Sequence, residues 1–179
     1  MKKLIAILAF GLMMIPALAQ NHTGYKLPEE PNRAKYIDFP SQDQGLWFAA
    51  QFTPAIGFGG ARGIWAAADL IAGYRTGEFF RFGLGISPRF DQISGFGLPV
   101  YVDLRGNIIS QESRMAVPYW NVDLGWAFNN NGVYFSPTVG ARIGMPRNDF
   151  IVGLTYILQH SIYAGRVFSA VGLRVGYEF

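Results

Sequence analysis

The chain has no cysteine. That excludes a disulfide framework and a lipid-anchored amino terminus. Charge is sparse as well: 15% of the residues are Asp, Glu, Lys or Arg, and no lysine occurs between positions 45 and 179. A soluble barrel would carry Lys and Glu over its outer surface. The formal charge is +3, and without Lys2 and Lys3 it falls to about +1, so the balance does not call for nucleic acid. No second long apolar run follows the first one, and no stretch has helical period, which excludes a helical membrane bundle. Metal-ligand clusters, phosphate loops and nucleophile elbows are missing too. The glycine-rich "GFGG" at 57–60 lacks the lysine and following helix that a phosphate loop needs. No cofactor is expected.

What is present is apolar, aromatic and rich in glycine. Half of the residues are hydrophobic, 16% are aromatic, and there are 22 glycines. The chain opens "MKKLIAILAFGLMMIPALAQ". Two lysines precede an apolar run that ends in Ala17-Leu18-Ala19. This predicts a secretory signal over 1–19 with Gln20 as the first mature residue. The run is shorter than the ~20 residues that span a bilayer, and Pro16 interrupts its end. Residues 20–44 are polar and proline-rich, without apolar period, and read as a tail.

From Gly45 the pattern is strand after strand. Alternation predicts strands at 45–58, 64–75, 78–90, 98–109, 116–128, 133–144, 150–160 and 165–179. Between them stand joints such as "DQISGFG", "SQESR", "NNNG" and "PRND", whose Gly, Asn, Asp and Pro tolerate turn geometry. Eight strands with short connections make antiparallel neighbours, and an even number of them can close. The expected fold is therefore all-β: an up-and-down antiparallel β-barrel of eight strands over 45–179.

Each strand has two unlike faces. The fifth carries Trp120, Val122, Leu124, Trp126 and Phe128 on one side, and Tyr119, Asn121, Asp123 and Gly125 on the other. The third sets Phe80, Phe82, Leu84, Ile86 and Phe90 against Arg81, Gly83, Gly85, Ser87 and Arg89. Volume chooses which face is inside. Eight strands enclose room for modest side chains only. The bulky apolar set would overfill that space, whereas the polar and glycine set suits a narrow hydrated lumen. The apolar face then meets lipid, and the barrel is transmembrane. A soluble lipocalin-like binder requires the opposite assignment. The aromatics also sort by height. Phe48, Tyr74, Phe80, Trp120, Phe150, Tyr177 and Phe179 lie near the end with the termini. Phe58, Phe90, Trp126, Phe128 and Phe135 lie near the other, as two interfacial belts would.

The last strand, "VGLRVGYEF", puts Val171, Leu173, Val175, Tyr177 and Phe179 on one face and ends on the aromatic. With the eight alternating strands, this resembles the small outer-membrane barrels of Gram-negative bacteria, the OmpA transmembrane domain and OmpX type. The resemblance covers 45–179. It implies a multi-pass outer-membrane location, export through a cleaved signal, and a terminal strand read by the barrel assembly machinery. Periplasmic chaperones and outer-membrane lipid are the partners it implies, with a monomeric barrel and no specific activity.

The same face assignment places Asp69, Arg75, Arg81, Arg89, Asp103, Arg105, Asp123, Arg142, Arg166, Arg174 and Glu178 inside. Charges in so narrow a space must be paired or hydrated. A salt-bridged plug is the expectation, and a narrow anion-preferring pore is the alternative. An enzyme is not expected. Lipid A deacylases and palmitoyltransferases exist among small barrels, with a His and Ser near the outer rim, and His160 and Ser161 are the candidates here. Adjacent residues point to opposite faces, however, so the pair does not match the His-x-Ser-Asn spacing of the deacylases. Asp69 and Asp123 are the candidate partners of His160.

Overall fold

The alternation becomes strands because successive side chains of an extended chain face opposite sides. A computed structural model describes residues 44–59, 62–92, 95–111, 114–128, 132–145, 147–162 and 165–179. The predicted signal and, apart from Gln44, the predicted tail lie outside the described residues. The strand segments are β1 (Gly45–Phe58), β2 (Gly63–Arg75), β3 (Arg81–Ile86), β4 (Arg89–Asp91), β5 (Gly95–Gly97), β6 (Pro99–Asn107), β7 (Ala116–Ala127), β8 (Gly132–Met145), β9 (Asn148–Ser161) and β10 (Arg166–Glu178).

Ten segments fill eight positions. β3 and β4 are one strand broken at Ser87 and Pro88, because proline has no N–H to give the ladder. The ladder continues through the break: Ala68 N–H donates to the Pro88 carbonyl at 3.0 Å, and Ser87 N–H to that of Pro99 at 2.9 Å. β5 and β6 are likewise one strand, interrupted at Leu98 before Pro99. Every pairing is antiparallel, and β1 pairs with both β2 and β10, which closes the barrel.

The register measures that closure. From Arg75, register partners run through Arg81, Arg105, Asn121, Thr138, Thr155, Gly172 and Ala55. The path returns to β2 at Trp65, ten residues from where it left. An eight-stranded barrel with that offset has strands tilted by about 40°.

Burial follows the pleat. On β1 and β3 it alternates residue by residue. The outward set is strongly exposed: Ile56 at 70%, Leu84 at 67%, and Val139 and Leu154 at 62%. Soluble monomers do not expose a continuous apolar band of this kind. The belts hold this face too, with Phe48, Tyr74, Phe80, Phe150 and Tyr177 exposed at one end and Phe58, Phe90 and Phe128 at the other.

Three details differ from the expected strands. The third strand begins at Arg81, because Thr76 Oγ1 donates to the Phe80 carbonyl at 2.8 Å and folds 76–80 into a turn. The fourth begins earlier than expected, since Gly95–Gly97 pairs with β4 and shortens that loop. The seventh begins at Asn148, which pairs with Met145 across a tight turn. Arg147 in that turn has φ 78°, and its Nη2 donates to the Gln44 carbonyl at 2.9 Å, which ties the start of β1 in place.

Candidate functional site

The inward residues stack in layers set by the tilt. Nearest the strand ends that carry Gly45 and Glu178 lies a layer of arginines. Arg75, Arg81, Arg105 and Arg142 come from β2, β3, β6 and β8, and all are buried. They converge on one acid. Glu178 Oε1 lies 3.0 Å from Arg75, 2.6 Å from Arg81 and 2.8 Å from Arg142, and its Oε2 lies 3.3 Å from Arg105. Two further carboxylates share the load: Asp103 accepts from Arg105 Nε at 2.6 Å, and Asp149 pairs with Arg142. The Arg105 guanidinium also lies 4.6 Å over the Trp47 ring, a cation–π contact in a dry site.

The chain closes this end with its own loops. Gln111, in the connection after β6, is buried at 2% exposure. Its Nε2 donates to Asp149 Oδ1 at 2.9 Å and to the Gly144 carbonyl at 3.1 Å. Glu78, in the turn before β3, accepts from Gln111 N–H at 2.9 Å and from Ser110 Oγ at 3.1 Å. Two connections are thus stitched together beneath the arginine layer.

Above it is a middle layer rich in acid. Arg174 lies 2.7 Å from Asp123 and donates to Asn121 Oδ1 at 2.5 Å and Ser136 Oγ at 3.0 Å. Asn121 Nδ2 in turn donates to Asp103 at 2.6 Å and Asp123 at 3.0 Å. Asp69 accepts from Tyr101 Oη at 3.2 Å and Thr53 Oγ1 at 3.4 Å. Ser136, Thr138 and Thr155 continue the chain of hydroxyls at 2.9 Å steps.

The upper lumen is aromatic. Trp65, Tyr101, Tyr134, Ile157 and Phe168 are buried there. The Tyr101 and Tyr134 ring centroids are 5.6 Å apart, and Arg89 lies 5.0 Å over the Trp65 ring. The polar face led to the expectation of a narrow, hydrated lumen; Trp65, Ile157 and Phe168 join the inward tyrosines there. The inward glycines are seats for those rings. A Cβ on Gly85 would stand about 2.5 Å from Tyr101 Cε2, and one on Gly125 would meet Tyr101 Cβ at 2.5 Å. Gly73 and Gly83 make the same room for Trp47.

The barrel brings Asp69, Arg75, Arg81, Arg89, Asp103, Arg105, Asp123, Arg142, Arg174 and Glu178 into one lumen. Arg166 departs from expectation: it keeps the inward register but is exposed. It pairs with Ser161 where the hairpin rises past the rim. Asp149, Gln111, Trp47 and Trp65 belong to the lumen and escaped the sequence reading. The alternation Asp149, Ile151, Gly153, Thr155 would have found the first, had "PRND" not been taken whole as a turn. His160 pairs with Val167 on the outward register, while Asp69 and Asp123 are fully buried in the lumen. The wall of the barrel stands between His160 and its candidate partners. Ser161 takes the register position opposite to that of His160. Among the described residues there is no group of His, Cys, Asp and Glu that could hold a metal ion.

A closed, tilted eight-stranded barrel with an apolar outside has known counterparts. The crystal structure of neisserial surface protein A (NspA) superposes with a TM-score of 0.55 at 12% identity, over 74% of this chain and 95% of that one. The fold is a small transmembrane-type β-barrel. At that identity the likeness concerns the fold alone. A de novo designed transmembrane β-barrel also aligns, over 74% of this chain and 95% of its own, at 11% identity and a TM-score of 0.42. No protein-family model matches the chain, and no curated protein matches it. The expected kinship with the OmpA and OmpX type therefore stands at the level of the eight-stranded barrel.

Proposed function

We propose that this chain is a structural barrel of the Gram-negative outer membrane, sealed by its own lumen, which neither conducts nor catalyses. The observation that carries the reading is the convergence of Arg75, Arg81, Arg105 and Arg142 on Glu178, with Gln111 closing the base. Among the described buried residues six arginines face five carboxylates, so the lumen is nearly neutral. A neutral, cross-linked interior suits a plug better than an anion path. The short outer connections offer little surface for a recognised ligand. Export through the 1–19 segment, and reading of Val171, Leu173, Val175, Tyr177 and Phe179 by the assembly machinery, belong to the same proposal.

The test is electrical. Purified barrel reconstituted into planar lipid bilayers is expected to give no current steps above bare membrane. Regular anion-selective steps would sink the sealed-lumen reading. The catalytic alternative is tested separately. Expression of the chain, or of its His160→Ala variant, is expected to leave the acyl chains of lipid A unchanged. A change that depends on His160 would make the barrel an enzyme.

A further inference from the structure

Glu178 belongs to two systems at once. It is the penultimate residue and stands on β10, whose pairing with β1 closes the barrel. There Glu178 lies opposite Ala49. Its carboxylate points into the lumen and holds arginines from four different strands.

Strand order sorts those four. Before the seam closes, the sheet is a ribbon with β1 at one edge and β10 at the other. Arg142, on β8, lies two strands from Glu178 in that ribbon. Arg75 and Arg81, on β2 and β3, lie near the opposite edge. At ~4.8 Å per strand they are roughly 25–30 Å away, far beyond any ion pair. Their contacts with Glu178, at 3.0 and 2.6 Å, exist only across the closed seam.

The seam has need of them. Its ladder runs from Ala49 to Phe52, passes over Thr53 and Pro54, and resumes at Ala55 opposite Gly172. The β1–β2 ladder, by contrast, is unbroken from Gly45 to Gly57. Closure also gathers guanidinium groups into one buried layer, where like charges repel strongly. A carboxylate shared among them offsets that repulsion, and its removal leaves buried positive charge uncompensated.

We propose that Glu178 is the latch of the barrel: by taking arginines from across the β1–β10 seam it holds the seam shut, and without its charge the barrel opens there. The proposal rests on the closed barrel alone, and stands whether or not the lumen conducts.

The test uses the full chain, which has no cysteine of its own. Phe52→Cys with Val175→Cys puts two thiols at partnered, outward positions across the seam. Leu124→Cys with Phe135→Cys does the same between β7 and β8, away from it. A short bifunctional thiol reagent then reports how often each pair is closed. Glu178→Gln is expected to lower cross-linking at the seam several-fold and leave the β7–β8 pair unchanged. Equal loss at both pairs, or loss at neither, overturns the latch. If Glu178→Gln fails to reach the membrane, the same two pairs are measured after refolding from denaturant into detergent micelles. Seam cross-linking equal to that of the parent chain in that assay overturns it equally.

Discussion

The lower and upper parts of the lumen are filled by different chemistry. Below, Arg75, Arg81, Arg105 and Arg142 gather around Glu178, and Asp103 and Asp149 complete the ion pairs. Above, Tyr101 lies against Gly85 and Gly125, and Trp65, Tyr134, Ile157 and Phe168 fill what remains. The lower part is held by charge, which tolerates small shifts in distance but not the loss of a partner. The upper part is held by shape, which tolerates apolar swaps that conserve volume better than changes of volume. Both lie inside a wall whose outer face is mostly apolar.

Substitutions can separate the two modes. The largest effect is expected from Arg174→Met in the middle layer, which strands the buried Asp123 without its cation. Breaking one side of a buried pair costs about 3–5 kcal/mol. Chemical unfolding in lipid vesicles should show this loss, and adding Asp123→Leu should recover much of it. An Arg174→Met variant as stable as the parent would mean that charge does not hold the lumen beneath its aromatic part.

Next comes Leu154→Arg, which leaves both parts of the lumen intact and puts the charge on the outer face. Near the bilayer midplane it should cost about 2–4 kcal/mol and reduce the inserted fraction. Normal insertion would reverse the face assignment. Gly85→Ala attacks the upper part alone by driving a methyl into the Tyr101 ring. A loss of about 1–3 kcal/mol is expected, smaller when Tyr101→Leu is added, because neighbours couple. Additive losses in the double variant would show that the glycine is not a seat for the ring. The smallest effect belongs to Gln111→Ala at the base. Its loss should cost about 1 kcal/mol, because Asp149 keeps its ion pair with Arg142 when the Gln111 bond is gone. No change in unfolding would mean that the loop does not close that end.

Much of this was legible in the sequence, because a pleated strand spells its two faces directly. Alternation separated the two faces, and the volume of the apolar set chose the outer one, which gave the lipid face, both belts and the inward charges. Pairing partners did not follow from either. Arg81 and Glu178 are 97 residues apart, and nothing local shows that they meet. The inward Trp47, Trp65 and Phe168 were hidden by a volume argument that weighed each face as a whole. Trp47 fits inside because Gly73 and Gly83 on neighbouring strands yield the space, and that compensation depends on register. The break at Ser87 and Pro88 was readable from the proline, but the resumed pairing of β4 and β5 needed the three-dimensional ladder. Alternation set His160 on the face opposite Ser161 in the sequence. The separation of His160 from Asp69 and Asp123 by the barrel wall follows from register as well.

The central claim is a closed barrel that lives in lipid. Electrophoresis in sodium dodecyl sulfate, with one membrane-extracted sample boiled and one not, tests it most directly. A closed barrel keeps its backbone hydrogen bonds to itself and resists the detergent until heated. The expected result is a protein from the outer-membrane fraction that migrates differently before and after boiling. A soluble periplasmic protein with identical mobility in both samples would contradict it.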